Sequence, residues 1–516
     1  MSLGLSPRHS VIVSVDGSSN EAFQATIASI HGQLAGNIEI VECRRDTAGP
    51  VAALNDALRR AAGEYVTFVD AGDVLHAHAL AAVDHRFIEN ADTDFVYTDE
   101  DRLIGSVRLD PFYKPDWSPD RMRCQMYTGR LAVMRRDLVD AIGGFREALT
   151  GAHEYDLVLR ASERARRIAH VPDVFFHRGS PTPVYGVEDS ARGRETGRRA
   201  IAEHLERTGF AATVDLDQDT DTYRLRPALR EEPLVSIVIP TNGAQRRVYG
   251  RNVDLVLNCI NSIIERSTYE NYEIICVIDE DTPDATRHAL PDVAPGQIRF
   301  VRYVHQFNFS RKINLGALHS SGDYFLLLND DTEVITPDWI EHLLMYAQND
   351  AVGAVGATLL FADGRIQHAG VVILNGDPGH PYYAFPGDWE GYFGNLRVPC
   401  NYLGVTAACL MSRRDVFEEV GGLSLSFPLN YNDVDYGMKL HAAGYRVLCT
   451  PEARLHHFES SSRGPGEVAD EEMDLLQSRW RHALGRDPFY SPHFLRTADF
   501  LTLAGVGGAT PAELRV

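Results

Sequence analysis

Residues 324–339 read YFLLLNDDTEVITPDW. Four apolar residues, Phe325–Leu328, run straight into Asn329-Asp330-Asp331. A short continuous apolar run predicts a strand buried on both faces of a sheet. Carboxylates at the end of such a strand are costly unless they are paired or bind something. In open α/β sheets, ligands gather beyond the carboxyl ends of the strands, which is where these acids emerge.

Working outward, the chain repeats itself. LNDALRRAAGEYVTFVDAGD (54–73) echoes INLGALHSSGDYFLLLNDDT (313–332), and RRDLVDAIGGF (135–145) echoes RRDVFEEVGGL (413–423). SVIVSV (10–15) matches SIVIPT (236–241), and EYDLVLR (154–160) matches DVDYGMK (433–439). Matches in one order point to an internal duplication. Each half alternates apolar strands with helical patterns, the signature of an α/β fold with a mostly parallel sheet. Between the halves, Val184–Gly209, which ends in RETGRRAIAEHLERTG, predicts a helix, and ATVDLDQDTDTYRLRP (212–227) a hairpin turning at Asp219-Thr220-Asp221. This division gives residues 1–180, a linker over 181–230, a second domain over 231–490 and a tail over 491–516.

The 516 residues are 44% hydrophobic and 24% charged, with a formal net charge of −22. Nucleic-acid binding needs a basic surface, so that class is excluded as an expectation. An anionic ligand would need a bound cation or backbone N–H groups. The seven cysteines show no metal-type spacing and sit mostly in apolar runs, as buried thiols of a reducing compartment do. No apolar run is long enough to span a membrane, and MSLGLSPRHS lacks a signal core. The expectation is a cytoplasmic protein, with nothing forbidding peripheral membrane contact.

With these motifs on the page, the chain resembles glycosyltransferase family 2, the nucleotide-sugar-dependent transferases of GT-A fold, in its rhamnosyltransferase-like or O-antigen-type branch. The second half carries the resemblance through PLVSIVIPT, YENYEIICVID, FNFSRKINLGA, GDYFLLLNDDTEVITPDW, DGRIQHAGVV, VTAACLMSRRDVFEEVGG, NDVDYGMKLHAAGYRV, HHFESSSRG and RDPFYSPHF. The first half carries it more patchily, through YTDEDRL, DPFYKPDWSPD and HEYDLVLRASERARRIAHVP. The implied fold is two tandem GT-A domains, the first a degenerate copy.

The resemblance also assigns roles. Asp331 falls at the family's metal-ligating position, with His457 as a second ligand of Mn²⁺ or Mg²⁺; His456 is the alternative, one residue away. Such an ion neutralises the charge growing on a departing diphosphate. Thr241, Asp279, Arg311, Asn314, Asn329 and Asp330 fall at donor-binding positions. Glu280-Asp281 departs from the family's usual residues after Asp279. Asp433 falls at the position of the catalytic base, and Asp435 supports the loop or caps the next helix. Read alone, NDVD is a good helix N-terminal cluster. In the loop 375–395, Trp389, Tyr382, Tyr383 and Tyr392 either stack on acceptor sugars or cover the core. His368 fits the family pattern without a defined role.

The implied partners are a UDP-, GDP- or dTDP-sugar and a glycan or lipid-linked acceptor, in polysaccharide synthesis at the inner face of the cell membrane. The sequence leaves the oligomeric state open. The implied activity is inverting, metal-dependent sugar transfer in the second half. Its alternatives are a two-site transferase or polymerase, and a non-catalytic sugar-binding scaffold.

Residues 10 and 55 are 45 apart, against 78 for their counterparts 236 and 314. The expectation is that the first half has lost a strand and helix around YEIICVIDED, with the partner of Asp279. Alignment of FVDAGD on LLNDDT sets Asp70 opposite Asn329 and Gly72 opposite Asp331, with Asp73 a conceivable substitute. Glu154 matches Asp433, and His177 roughly matches His457. This favours a non-catalytic first half.

Overall fold

The computed structural model describes residues 8–503 apart from 16–18, 45–48, 180–186, 188–189, 218–219, 221, 230, 294–295, 375, 459–469 and 498–499. The hairpin turn at Asp219 and Asp221, most of HHFESSSRG and the tail beyond 503 lie outside them. The chain divides into two compact units, Met1–Leu225 and Arg226–Arg515.

In the second unit the main strand order is Ile298–Tyr303, Tyr272–Asp279, Val235–Thr241, Tyr324–Leu328, Cys409–Arg413, Val352–Leu360, Arg446–His457 and Thr332–Val334. The first four run parallel, and Cys409–Arg413 is antiparallel to both its neighbours. The sheet is therefore mixed, with a parallel half at one side. Phe325–Leu328 are at most 1% exposed, as the opening stretch predicts. Each such buried side chain contributes about 1.5–3 kcal/mol.

The first unit repeats this order: Ile38–Arg44, His9–Val15, Tyr65–Asp70, Val133–Arg135, Thr93–Ile104, Arg167–Arg178 and Val74–Leu75. One expectation is corrected. The strand matching Tyr272–Asp279 is present: Val15 pairs with Arg44 as Thr241 pairs with Ile278. Among the described residues, the first unit has no counterpart of the next helix, Asp284–Val293, or of the edge strand Ile298–Tyr303. Nor do its described residues include a counterpart of the hairpin Gln245–Val248/Arg251–Asp254 that follows Thr241. The counterpart of Asp279, Arg45, lies outside the described residues.

The predicted helix and hairpin between the halves form, as Ala191–Thr208 and Ala212–Leu216/Tyr223–Pro227. They pack on the first unit rather than forming a separate linker. His204 bonds Glu163 at 2.7 Å, and the Tyr223 N–H donates to the Cys124 carbonyl at 2.8 Å. Ser190 and left-handed Gly209 cap the helix.

Both units share one clamp. Asn314 donates to the Leu423 carbonyl (2.8 Å) and accepts from its N–H (3.0 Å). Asn55 does the same to Phe145, both at 2.9 Å. Gly422 and Gly144, at φ +60° and +65°, make room: a Cβ on either would stand 2.8 Å from the asparagine oxygen.

All seven cysteines are buried thiols. Among the described residues, no helix is long and apolar enough to cross a membrane.

Candidate functional site

The carboxyl end of Tyr324–Leu328 delivers three consecutive polar side chains to two partners, Thr241 and His457. Asp330 accepts from the Thr241 hydroxyl at 2.6 Å, at the end of the adjacent parallel strand. Burial, and then the neighbouring Asp331 charge, push the Asp330 pKa up to about 7. Asp331 Oδ1 lies 3.0 Å from His457 Nε2, and the Asn329 amide nitrogen 3.3 Å from the same ring atom. Sheet pairing explains the meeting: Thr332 pairs with His457, and the Phe458 N–H donates to the Asp331 carbonyl at 2.9 Å.

On the opposite side stands Asp433, in the first turn of the helix Asn432–Ala442. The helix follows Tyr431, which adopts a left-handed conformation at φ 57°. A non-glycine residue held there stores local strain of about 1–3 kcal/mol, a cost that clusters at functional sites. Asp433 Oδ2 accepts from the Ala407 N–H at 3.2 Å, and Oδ1 from the Val434 N–H at 2.9 Å. The Ala408 carbonyl in turn accepts from the Asn329 N–H at 3.0 Å. The turn Thr406–Ala408 therefore ties the Asp331 side of the crevice to the Asp433 side.

Asp279 is brought to the same region by Lys312, whose ammonium lies 2.9 Å from its Oδ1 and donates to the Thr241 carbonyl at 3.2 Å. Sequence reasoning missed Lys312. The signal was helical spacing, since positions 312, 313, 316 and 317 form the buried face of Phe309–Leu318. A lysine only 2% exposed needs an acid. Arg311 faces outward beside it, its backbone N–H held by Asn308. Asn314 spends both amide functions on the clamp.

The remaining residues are engaged elsewhere. Asp435 accepts from Arg479 (2.8 Å) and the Trp480 indole (2.9 Å), anchoring the helix Asp470–Leu484. His456 lies 3.1 Å from the Phe361 carbonyl and packs near Phe458 and Tyr249, away from Asp331. Trp389 stacks on Phe385 at 4.6 Å, and Tyr382 is 2% exposed and accepts from Asn395 at 2.6 Å. Those two rings pack into their own loop. Buried His368 bonds His380 and is held well below the ordinary imidazole pKa by burial and by His380 and His457.

His457 Nδ1 donates to Gln367 Oε1 at 2.6 Å, which leaves a lone pair on Nε2. A lone pair facing a carboxylate oxygen at 3.0 Å suits a shared cation. Among the described residues, no three His, Cys, Asp or Glu side chains gather into a closed metal cage. Two protein donors fit Mg²⁺ or Mn²⁺, which take their remaining ligands from phosphate and water.

The sequence profile described as Glycosyl transferase family 2 matches residues 236–421, and that described as Glycosyltransferase like family 2 matches residues 4–215. The chain belongs to glycosyltransferase family 2. Both units have the GT-A type of α/β sheet. The chain is 36% identical over 453 residues to the O-antigen biosynthesis protein RfbC of Myxococcus xanthus, covering 86% of this chain and 35% of that protein. It is 37% identical over 467 residues to protein y4gI of Sinorhizobium fredii (strain NBRC 101917 / NGR234), covering 87% and 50%. The chain thus spans about a third to a half of the length of these relatives. Among solved structures, GalNAc-T7 with UDP, GalNAc and Mn²⁺ superposes with a TM-score of 0.39 at 13% identity, over 49% of this chain and 50% of that one.

The two family 2 units differ at the crevice. Val74 pairs with His177 as Thr332 pairs with His457, so strand register makes Asp73, rather than Gly72, the counterpart of Asp331. Asp73 is fully buried and accepts from the backbone N–H groups of Gly179 (3.1 Å) and Asp70 (3.2 Å). His177 bonds Asp101 at 2.7 Å. Arg130 lies 3.1 Å from Asp70 and 2.5 Å from Glu154, the counterparts of Asn329 and Asp433. In the second unit the Arg130 position is Ala408. Burial opposes the Arg130 charge, yet Asp70, Glu154 and Asp73 raise its pKa above the usual value.

Proposed function

We propose that residues 231–490 form an inverting, metal-dependent glycosyltransferase acting in cell-surface polysaccharide synthesis at the inner face of the membrane. The donor is a UDP-, GDP- or dTDP-sugar and the acceptor a glycan or lipid-linked hydroxyl. The name of the Myxococcus relative supports the polysaccharide setting. The observation that carries the reading is the turn Thr406–Ala408, which holds Asp433 opposite the Asp331–His457 pair.

Asp331 and His457 hold Mn²⁺ or Mg²⁺, and Asn329, Asp330, Thr241, Asp279 and Arg311 orient the donor. When bound, the cation neutralises charge on the departing diphosphate. Asp433 accepts the acceptor hydroxyl proton while that oxygen forms its bond to the anomeric carbon. The carbon–oxygen bond to the diphosphate breaks on the opposite face, giving inversion. The first unit is non-catalytic: Arg130 fills its crevice and Asp73 is spent on backbone groups.

A donor screen tests this by reading released nucleoside diphosphate from UDP-, GDP- and dTDP-sugars with and without Mn²⁺. Metal-dependent release abolished by Asp331→Asn is the expected result. Release from none of the donors, or release lost with Asp70→Asn and kept in Asp331→Asn, overturns the reading.

A further inference from the structure

The short strand Ile366–His368 borders the crevice without contributing an acid or a proposed metal ligand, yet its side chains reach both sides. It pairs with Val352–Leu360 out of step: Leu360 faces Ile366 and Leu359 faces His368. Gln367 is thus the extra residue of a β-bulge, a device that re-aims a side chain and that recurs next to active sites. It is 2% exposed, and its Oε1 lies 2.6 Å from His457 Nδ1. An amide oxygen only accepts, so the proton stays on Nδ1 and Nε2 turns toward Asp331. A buried glutamine is costly relative to an apolar residue unless its hydrogen bonds matter.

The next side chain on the strand reaches a different element. His368 Nε2 accepts from the Thr406 N–H at 3.3 Å, which leaves its Nδ1 to donate to His380 Nδ1 at 2.9 Å. The adjacent Ala407 N–H holds Asp433.

We infer that the bulged strand is the positioning device of the site: Gln367 sets the orientation of His457, and His368 sets the turn that carries Asp433. Both are positioning residues, since neither reaches the reacting atoms. The inference rests on the proposed metal-dependent transfer.

The test uses the full chain and three measurements: Mn²⁺ affinity in the presence of UDP, read by electron paramagnetic resonance of free Mn²⁺; kcat; and the Mn²⁺ concentration for half-maximal rate. Gln367→Met keeps the volume and removes the acceptor; Gln367→Glu keeps the acceptor. Loss of an outer-shell partner costs about 10–100-fold in metal affinity. Gln367→Met should weaken Mn²⁺ binding by that factor and regain rate at high Mn²⁺, whereas Gln367→Glu stays near wild type. His368→Ala should lower kcat with Mn²⁺ affinity unchanged. If methionine unfolds the protein, Gln367→Asn, whose shorter amide falls short of Nδ1, takes its place. Wild-type affinity in Gln367→Met, or equal losses in the Met and Glu variants, overturns the inference. Asp331→Asn separates the two ideas: if it too binds Mn²⁺ like wild type, the metal assignment itself fails; if it alone loses Mn²⁺, only the positioning role fails.

Discussion

The two units carry the same strand order and the same asparagine clamp, but they have exchanged the place of a buried cation. In the second unit the ammonium of Lys312 sits at the Thr241–Asp279 side, and Ala408 leaves the Asp433 side open. In the first unit the Lys312 position is Ala53, and the guanidinium of Arg130 stands between Asp70 and Glu154. On the proposed reading, one fold hosts either a crevice for an external cation or one that supplies its own. The choice rests on single side chains at equivalent positions of the strands that the two units share.

The sharpest way to break that contrast is at the paired acids. Asp433→Asn should lower turnover by roughly 10²–10⁴, while Glu154→Gln leaves it within about twofold, both read as released nucleoside diphosphate. Equal losses would make the first unit a second catalytic centre. Next, Arg130→Ala strands Glu154 and Asp70 without their counter-charge. Breaking a buried pair from one side costs about 3–5 kcal/mol, so urea unfolding of the first unit should shift to markedly lower denaturant. An unchanged midpoint would mean that the guanidinium is not what neutralises those acids.

The clamps sharpen the likeness rather than the difference. Asn55→Ala and Asn314→Ala each remove two hydrogen bonds, and each should destabilise its unit by about 1–3 kcal/mol in denaturant titration. Only the change at 314 should touch turnover. The smallest effect is a pH dependence confined to the first unit. Burial alone would raise the Glu163 pKa, but His204 and Arg207 outweigh it and hold the carboxyl at about 2. A depressed carboxyl contributes stability that is full above its unfolded pKa, near 4.5, and lost as pH falls toward 2. Glu163→Gln should flatten the acid limb of stability between those values.

Much of this was legible in residue order. The apolar run Phe325–Leu328 announced a central strand, and the repeated motifs announced the duplication, because burial and periodicity are local properties of a sequence. Asp331, His457, Asp330, Thr241 and Asp433 could be named because motifs mark them. Gln367 could not: its importance comes from a bulge, which depends on the register of two strands. Arg130 carries no motif either, and only strand register shows that its equivalent in the second unit is Ala408. The same register moved the counterpart of Asp331 from Gly72 to Asp73, a shift of one residue across a turn. The shorter spacing between residues 10 and 55 does not reveal the strand Ile38–Arg44, because chain length counts residues and not hydrogen-bonded neighbours.

The asparagine clamps have a consequence for synthesis. Each joins residues about a hundred positions apart, yet both ends of the first lie before Leu225. The nascent first unit therefore owns all the partners of its own closure when its last residue emerges. At roughly 5–20 residues per second, the ribosome then leaves it tens of seconds to mature before the later copy can compete for the same kind of pairing.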